Sequence, residues 1–439
     1  MLTRLNQHLA RYFGFAQHGT TWRTEVLAGL TTFITMAYII FVNPAILSET
    51  GMPLAAVTTS TCLCAGIGSI LMGALANYPL ALAPGMGLNA YFTYTAVKGM
   101  GVPWQTALGA VFLSGVIFLL LTFGGIRQQL LAAVPHQLHA AVAGGIGLFI
   151  AFIGLKNAGI ITASSATTVA LGDLHNHATQ LAIFGILLIA VLQAYRVRAA
   201  MLIGVLATLA AGIVFHQVKY APSTFNPMAM SATAFHLDIR GALKMNALSI
   251  IFVFLFVDLF DNIGTLVAVT DRAGLIAEGH TIPRLERIFF ADAASTVIGS
   301  LAGTSTVTSY IESSAGVAAG GRTGVTAIVT GLLFLVSIFV APVVGAIPEF
   351  ATAPALVLVG ALMLGGAARI DWEEPRIAIP AFLTLVTIPL TYSIATGLSF
   401  GLISFAALEI ATGHGRRQHW MLYLLAVLFL LRFVYLAGA

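Results

Sequence analysis

The sequence predicts an all-α polytopic membrane protein of about fourteen transmembrane helices, arranged as two inverted seven-helix repeats with spans 3 and 10 broken. Three observations carry that expectation: the composition, the length of the apolar stretches, and an echo between the two halves. Of 439 residues, 59% are hydrophobic and only 8% are charged, whereas a soluble domain carries about a quarter charged. A water-soluble fold of this size has no place for so much apolar surface, so lipid must solvate most of it. Apolar stretches of roughly 17–25 residues recur from end to end, the length a helix needs to cross about 30 Å of hydrocarbon. Membrane-spanning strands would instead alternate in polarity over about ten residues, and no such alternation is present.

The first 24 residues lack an apolar core behind a basic start, so they are expected to be retained rather than cleaved. Leu2, Leu5, Leu9 and Phe13 recur at helical spacing beside Arg4, His8 and Arg11, which predicts a short amphipathic helix on the membrane surface. Core spans are predicted over 26–45, 54–76, 80–97, 105–125, 137–160, 178–194, 199–216, 245–267, 287–302, 304–320, 322–343, 350–367, 376–394 and 397–412. The stretch 419–436 carries Arg432 and is either an extra span or an interfacial helix. Cys62 and Cys64 stand two apart in an apolar span, which fits neither a zinc knuckle nor a CxxC pair and predicts packed free thiols.

The net charge of +4 is read as loop charge that sets orientation, not as a nucleic-acid footprint. With the N-terminus inside, fourteen of the twenty basic residues, from Arg4 to Arg417, fall in cytoplasmic segments. Only Lys98, Lys156, Lys219, Arg240 and Lys244 fall outside, with Arg432 unassigned. That asymmetry is the positive-inside pattern of an inner-membrane protein with a cytoplasmic N-terminus.

The halves echo each other in three places. Ser69–Ala76 resembles Ser295–Ala302 at a shift of 226, Ser114–Leu119 resembles Thr330–Leu335 at 216, and Leu88–Tyr91 resembles Val307–Tyr310 at 219. An odd number of spans per half turns the second copy upside down, and inverted repeats place a transporter's substrate site near the midplane between them.

Five acids fall inside predicted spans: Asp258, Asp261, Asp292, Glu312 and Glu409. A charge at the bilayer centre costs about 2.5–3.5 kcal/mol even on insertion scales, so such groups face a cavity, a partner or a titrating site. Asp261 and Glu312 are read as functional. Asp292 stands evenly between a functional and a structural polar role, and Glu409, near a helix end, is read as structural. Two spans are also broken. Tyr78–Tyr91 holds two prolines and two glycines, and Gly303–Glu312 is rich in β-branched hydroxyl residues. Both are predicted to run extended first and helical afterwards, which survives at this depth only where protein or a cavity satisfies the backbone. Helix N-termini meeting there would offer N–H donors and positive dipole ends to a polar ligand.

The segments NPAIL (43–47), ALAPGMGLNAYF (81–92), FVDLFDNIGTL (256–266), ADAASTVIG (291–299) and GTSTVTSYIESSAGVAAGGRTG (303–324) carry a resemblance. The chain resembles the nucleobase–ascorbate (nucleobase/cation symporter 2) family, in particular its AzgA-like branch of adenine, guanine and hypoxanthine permeases. The resemblance covers essentially the whole chain. It implies a core domain from spans 1–4 and 8–11 (25–125 and 245–345) and a gate domain from spans 5–7 and 12–14 (126–244 and 346–412). These are flanked by the 1–24 amphipathic segment and the 413–439 apolar segment. It implies a purine between the half-helices of spans 3 and 10, held by Asp261, Glu312 and Asn89, with Gly87, Phe260, Thr308 and Tyr310 beside them. Proton coupling is assigned to Asp261, Asp258 and Glu312. Uracil-type relatives carry a His one turn beyond the span 8 acid, where Thr265 stands here, so a relay through that His does not transfer.

The chemistry of the residues agrees with that reading. A purine edge offers adjacent N–H donors and ring acceptors that a carboxylate and an amide match in pairs, and its faces suit Phe260, Tyr91 and Tyr310. The expected partners are a purine nucleobase, a proton and the bilayer. A homodimer is left open, and no nucleic acid, metal or cofactor is expected. An anion carrier on the same inverted architecture is disfavoured by the two acids. An intramembrane enzyme lacks a nucleophile–base pair or metal cluster, as no His lies mid-span beside the acids. Within the purine reading, guanine or hypoxanthine is expected over adenine.

Overall fold

Backbone polar groups in hydrocarbon must be satisfied by the protein itself, and this chain does so with helices nearly throughout. The computed structural model describes residues 2–123, 135–218, 228–275, 282–340 and 347–435. Predicted span 1 is two helices, Trp22–Met36 and Ile39–Ser48, meeting at Ala37 and Tyr38. Leu54–Leu71 then runs into a π-helical turn, Met72–Ala76. Next come Trp104–Phe123, His136–Asn157, His177–Ala194, Ala200–Val214, Met245–Ala273, Leu285–Ala302, Gly324–Ser337, Glu349–Leu364, Pro375–Thr391, Ile394–Ala411 and Trp420–Tyr435. Each overlies its predicted apolar stretch. Among the described residues, seven helices are long and apolar enough to cross a membrane alone, and five shorter ones are apolar as well.

The N-terminal segment forms the helix Leu2–Tyr12, and Phe13 and Phe15 after it are buried against Val325. Residues 419–436 are helical over Trp420–Tyr435. That helix packs on Ile394–Ala411, and its Phe429 ring lies 5.0 Å from Phe252. Cys62 and Cys64 are free and buried.

Both broken spans are extended and then helical. In the first, strand β1 (Leu82–Pro84) precedes the short helix Met86–Ala90, which continues as the π-helix Tyr91–Gly99. The loop connecting Asn157 to His177 holds a hairpin of β2 (Ile161–Ser164) and β3 (Thr168–Leu171). Its four-residue strands are too short to stand out from the polar run around them. In the second broken span, β4 (Val307–Ser309) precedes the helix Ser313–Ala318. That helix has six residues, shorter than the span predicted over 304–320.

β1 and β4 pair antiparallel, Leu82 with Ser309, Ala83 with Thr308 and Pro84 with Val307. The ladder is extended by Gly85 N–H donating to Thr306 O at 2.9 Å and Tyr310 N–H donating to Ala81 O at 3.0 Å. In each half a hydroxyl from the preceding helix meets the first carbonyl of the strand. Ser69 Oγ donates to Leu82 O at 3.0 Å, and Thr296 Oγ1 donates to Val307 O at 2.9 Å. This corrects one sequence match. Leu88–Tyr91 is helical whereas Val307–Ser309 is a strand, so those segments are not counterparts. The position in β4 equivalent to Leu82 is its first residue, Val307, at a separation of 225 (307 − 82), close to the 226 of the Ser69–Ala76 match.

Small residues let the helices approach closely. A Cβ on Gly324 would lie 2.0 Å from Gly73 O, and one on Gly73 would lie 2.3 Å from Gly324 O. The two backbones touch there, which suits association without a hydrophobic drive. Gly365, by contrast, has open space around it. Gly324→Val is therefore expected to cost about 1–3 kcal/mol by overpacking and to lower the melting temperature in detergent by several degrees. Gly365→Ala should leave it unchanged. Equal thermal stability of both variants, followed by fluorescence-detected size-exclusion chromatography, would contradict this crossing.

Candidate functional site

The site gathers where the β1–β4 ladder meets the helices Ile39–Ser48 and Met245–Ala273. At the start of Met86–Ala90 the N–H groups of Met86, Gly87 and Leu88 have no intrahelical acceptor, as at any helix start. Glu312 occupies the N-cap position of Ser313–Ala318. Its Oε1 accepts a hydrogen bond from Tyr38 Oη at 2.6 Å, and Tyr38 is itself buried at the break in span 1. No ion pair reaches Glu312 among the described residues.

The predicted residues fall into distinct roles. Asn89 is fully buried, and its Nδ2 donates to Asn43 Oδ1 at 2.5 Å while its Oδ1 accepts from Ser305 Oγ. Tyr310 is buried and donates its hydroxyl to Pro84 O, locking the second segment onto the first. Gly87 is a contact point between helices: a Cβ there would lie 2.4 Å from Ile146 Cγ2 on His136–Asn157. Thr308 is buried and its Oγ1 has no hydrogen-bond partner among the described residues. Tyr91 packs edge-on against Phe254 at 5.3 Å, so its ring serves the core. Asp258 and Asp292 are buried on their helices. The side chains of Asp261 and Phe260 lie outside the described residues; their backbone is part of Met245–Ala273.

Several site residues escaped the sequence reading. Asn262 is fully buried beside β4, where its Oδ1 accepts from Ser309 Oγ at 2.8 Å, while its Nδ2 has no partner among the described residues. The hydroxyl of Thr306 is likewise buried without a partner. Unmet polar groups of this kind cost about 1–3 kcal/mol each. A cluster of them beside a carboxylate fits a place where a polar ligand completes the bonding. The signal was present in FDNIG and TSTVTS, which hold more polar groups than an apolar span tolerates.

Glu25 was missed because it stands one residue before the predicted first span. It is fully buried and accepts from Arg322 N at 3.0 Å, Thr323 N at 3.3 Å, Thr326 Oγ1 at 2.5 Å and Thr20 Oγ1 at 2.8 Å. The Arg322 guanidinium in turn donates to Val317 O at 2.7 Å, capping the end of Ser313–Ala318. Glu409 pairs with Arg376 at 3.6 Å and accepts from Gln418 at 2.9 Å, the arrangement of a structural acid.

Broken helices crossing at a buried polar cluster inside an apolar bundle define a multi-pass membrane transporter. The family comparison agrees: the Permease family model Xan_ur_permease matches residues 23–400. The chain belongs to that family, in its AzgA-like purine permease group of nucleobase/cation symporters, whose members are transporters rather than enzymes. It is 52% identical over 429 residues to a permease of Methanocaldococcus jannaschii, covering 98% of each chain. It is 45% identical over 428 residues to the adenine permease AdeP of Escherichia coli, covering 98% of this chain and 96% of that one. It is also 45% identical over 437 residues to the guanine/hypoxanthine permease PbuG of Bacillus subtilis, covering 97% and 99%.

Among solved structures, the transmembrane domain of the cyanobacterial bicarbonate transporter BicA superposes with a TM-score of 0.61 at 14% identity, covering 87% of this chain and 98% of that one. The murine anion transporter Slc26a9 in its inward-facing state gives 0.64 at 13% identity, covering 88% and 68%. At these identities the likeness concerns the fold alone.

The Tyr38–Glu312 bond yields a prediction. A hydrogen bond to a charged group contributes about 1.5–3 kcal/mol, so Tyr38→Phe should raise the KM for transported substrate by roughly ten-fold or more while protein still reaches the membrane. An unchanged KM in vesicle uptake would show that this bond does not shape the site.

Proposed function

We propose that the chain takes up purine nucleobases across the inner membrane together with protons, by alternating access, with guanine or hypoxanthine as the favoured base. The observation that carries this reading is Glu312: a half-buried carboxylate held by a neutral phenol, with no cation paired to it among the described residues. A carboxylate in that setting matches the N–H donors of a purine edge and repels an inorganic anion. The unpartnered groups of Asn262 and Thr308 supply further contacts beside it. The printed functions of the relatives, adenine and guanine/hypoxanthine permeases, support the substrate class.

The architecture in this proposal is fourteen spans in two inverted sevens, with a cytoplasmic N-terminus. The strand register supports it. The offset of 225 from Leu82 to Val307 nearly equals the 226 between Ser69–Ala76 and Ser295–Ala302, so a helix and the strand after it recur together in each half. The segments 25–125 and 245–345 form the substrate-holding core, and 126–244 and 346–412 form the gate. The close approach of Gly87 to Ile146 marks where the two would slide.

Ligand choice follows from edge chemistry. A 6-oxopurine presents N1–H beside O6, so ionised Glu312 accepts from N1–H, and in guanine from the 2-amino group as well. Adenine presents an acceptor at N1 and requires a protonated acid or a different contact. Discrimination of this kind is large, because the wrong base leaves buried groups unpaired. A second reading, an adenine permease, draws on the 45% identity to AdeP, equal to that with PbuG. Competition uptake decides: hypoxanthine and guanine are expected to inhibit about ten-fold or more better than adenine, and the reverse order would favour the second reading. Glu312→Gln should abolish binding of the preferred base without loss of membrane protein.

Coupling is placed on the span 8 acids, Asp261 ahead of Asp258. A carboxyl inside an apolar span can be neutral in one state of the cycle and charged in another. Asp261→Asn should therefore still exchange purine across the membrane but lose uphill accumulation. Accumulation at the wild-type level by that variant would put the coupling group elsewhere.

A further inference from the structure

Five fully buried polar side chains lie together behind the half-helix Met86–Ala90: Asn43, Thr61, Asn89, Thr304 and Ser305. They come from four parts of the fold. Asn43 is on Ile39–Ser48, Thr61 on Leu54–Leu71, and Asn89 on Met86–Ala90, while Thr304 and Ser305 lead into β4. We propose that Asn43 is a positioning residue of the purine site, fixing the orientation of the Asn89 amide through a relay whose direction is set at Thr61. The proposal rests on the reading of Asn89 as a purine contact.

The direction of each bond follows from donor arithmetic. Thr61 Oγ1 donates its only proton to Val57 O, one helical turn back, at 2.6 Å. Toward Asn43 it can therefore only accept, so the Asn43 atom 2.7 Å away must be Nδ2. The second N–H of that nitrogen points to Thr304 Oγ1 at 3.2 Å. Both Asn43 donors are then committed, and Oδ1 is left facing Asn89. Oδ1 can only accept, so the Asn89 atom 2.5 Å from it is Nδ2. Asn89 Oδ1 consequently faces the other way and takes the hydroxyl proton of Ser305. Inverting Asn43 would set donor against donor at Asn89, and inverting Asn89 would set acceptor against acceptor at Asn43, in a dry interior where an unmet polar group is most costly.

Two consequences follow for the site. Asn89 has one N–H spent on Asn43 and one carbonyl lone pair on Ser305, so the donor it keeps to offer a ligand is its second N–H, suited to a ring acceptor of the purine. Ser305 belongs to the second broken segment and Asn89 to the first, so the same relay ties the two half-sites in register. The helix carbonyl of Val57, three hydrogen bonds back along the relay from Asn89, thereby sets the polarity of a substrate contact.

The test measures KM and kcat for hypoxanthine uptake, with membrane levels, in Thr61→Val, Thr61→Ser and Asn43→Ala, each alone and combined with Asn89→Ala. Thr61→Val keeps the shape and removes the hydroxyl; Thr61→Ser keeps the hydroxyl. Thr61→Val and Asn43→Ala are expected to raise KM roughly five- to fifty-fold, as for loss of a buried hydrogen bond, with kcat within about two-fold of wild type. Thr61→Ser should behave as wild type. In the Asn89→Ala background, losing Asn43 or the Thr61 hydroxyl should add no more than about two-fold, because the effect travels through Asn89.

An unchanged KM in Thr61→Val would overturn the proposal. So would effects that multiply in the Asn89→Ala background, or a fall in membrane level and kcat at constant KM, which marks a merely structural network. Wild-type vesicles that take up no purine would remove the underlying functional reading, and the proposal with it, before any variant is compared.

Discussion

Unpaired backbone inside hydrocarbon is the constraint on which the rest of this molecule turns. Two chain segments leave the helical conformation in the middle of the bundle, and neither can do so alone, because an extended strand exposes N–H and C=O groups that lipid cannot satisfy. β1 and β4 solve this by pairing with each other, residue 82 to 309 and residue 84 to 307. The bonds at Gly85–Thr306 and Tyr310–Ala81 carry the pairing past the strand ends. Once paired, the strands bring the starts of Met86–Ala90 and Ser313–Ala318 into one region. A polar site in an apolar bundle is thus a consequence of how the breaks are satisfied.

The polar groups around that crossing sort by whether the protein uses them up. Tyr310 and Ser305 spend their hydroxyls on Pro84 and Asn89, bonds that stitch one half to the other, while Ser309 spends its hydroxyl on Asn262 within the second half. Asn262 Nδ2 and the hydroxyls of Thr306 and Thr308 are buried and unspent. Glu312 has one oxygen on Tyr38 and no ion pair among the described residues. On the other side of the short helix, Glu25 accepts from Arg322 N, Thr323 N and Thr326 Oγ1, and the Arg322 guanidinium caps the helix end at Val317 O. The segment from Val307 to Arg322 is therefore anchored at its far end and left polar and unmet at its near end, as a binding element should be.

Helix positions and both breaks were legible in the sequence because apolar run length, proline, glycine and β-branched content act locally. Glu312 was legible because an acid in an apolar span has few structural uses. What could not be read was anything that depends on which helices touch. Tyr38 is an ordinary aromatic residue in a span until the break at Ala37 aims it at Glu312, 274 residues away. Asn43 sits in a motif whose role in bonding Asn89 is a matter of three-dimensional register. Leu88–Tyr91 was matched to Val307–Tyr310 because small and aromatic residues recur at both places. The pairing of strands, not the resemblance of letters, sets the true counterpart. The hairpin at Ile161–Leu171 was hidden by its polar, Ser- and Thr-rich turn.

The central claim is that the crossing of β1 and β4 holds a purine between Glu312 and the first turn of Met86–Ala90. A structure of the protein with hypoxanthine bound tests it most directly. The expected density for the base lies within hydrogen-bonding distance of the Glu312 carboxylate and of a backbone N–H among Met86 to Leu88, with Asn262 or Thr308 newly partnered. A base bound away from both half-helices, with Glu312 still engaged only by Tyr38, would contradict it.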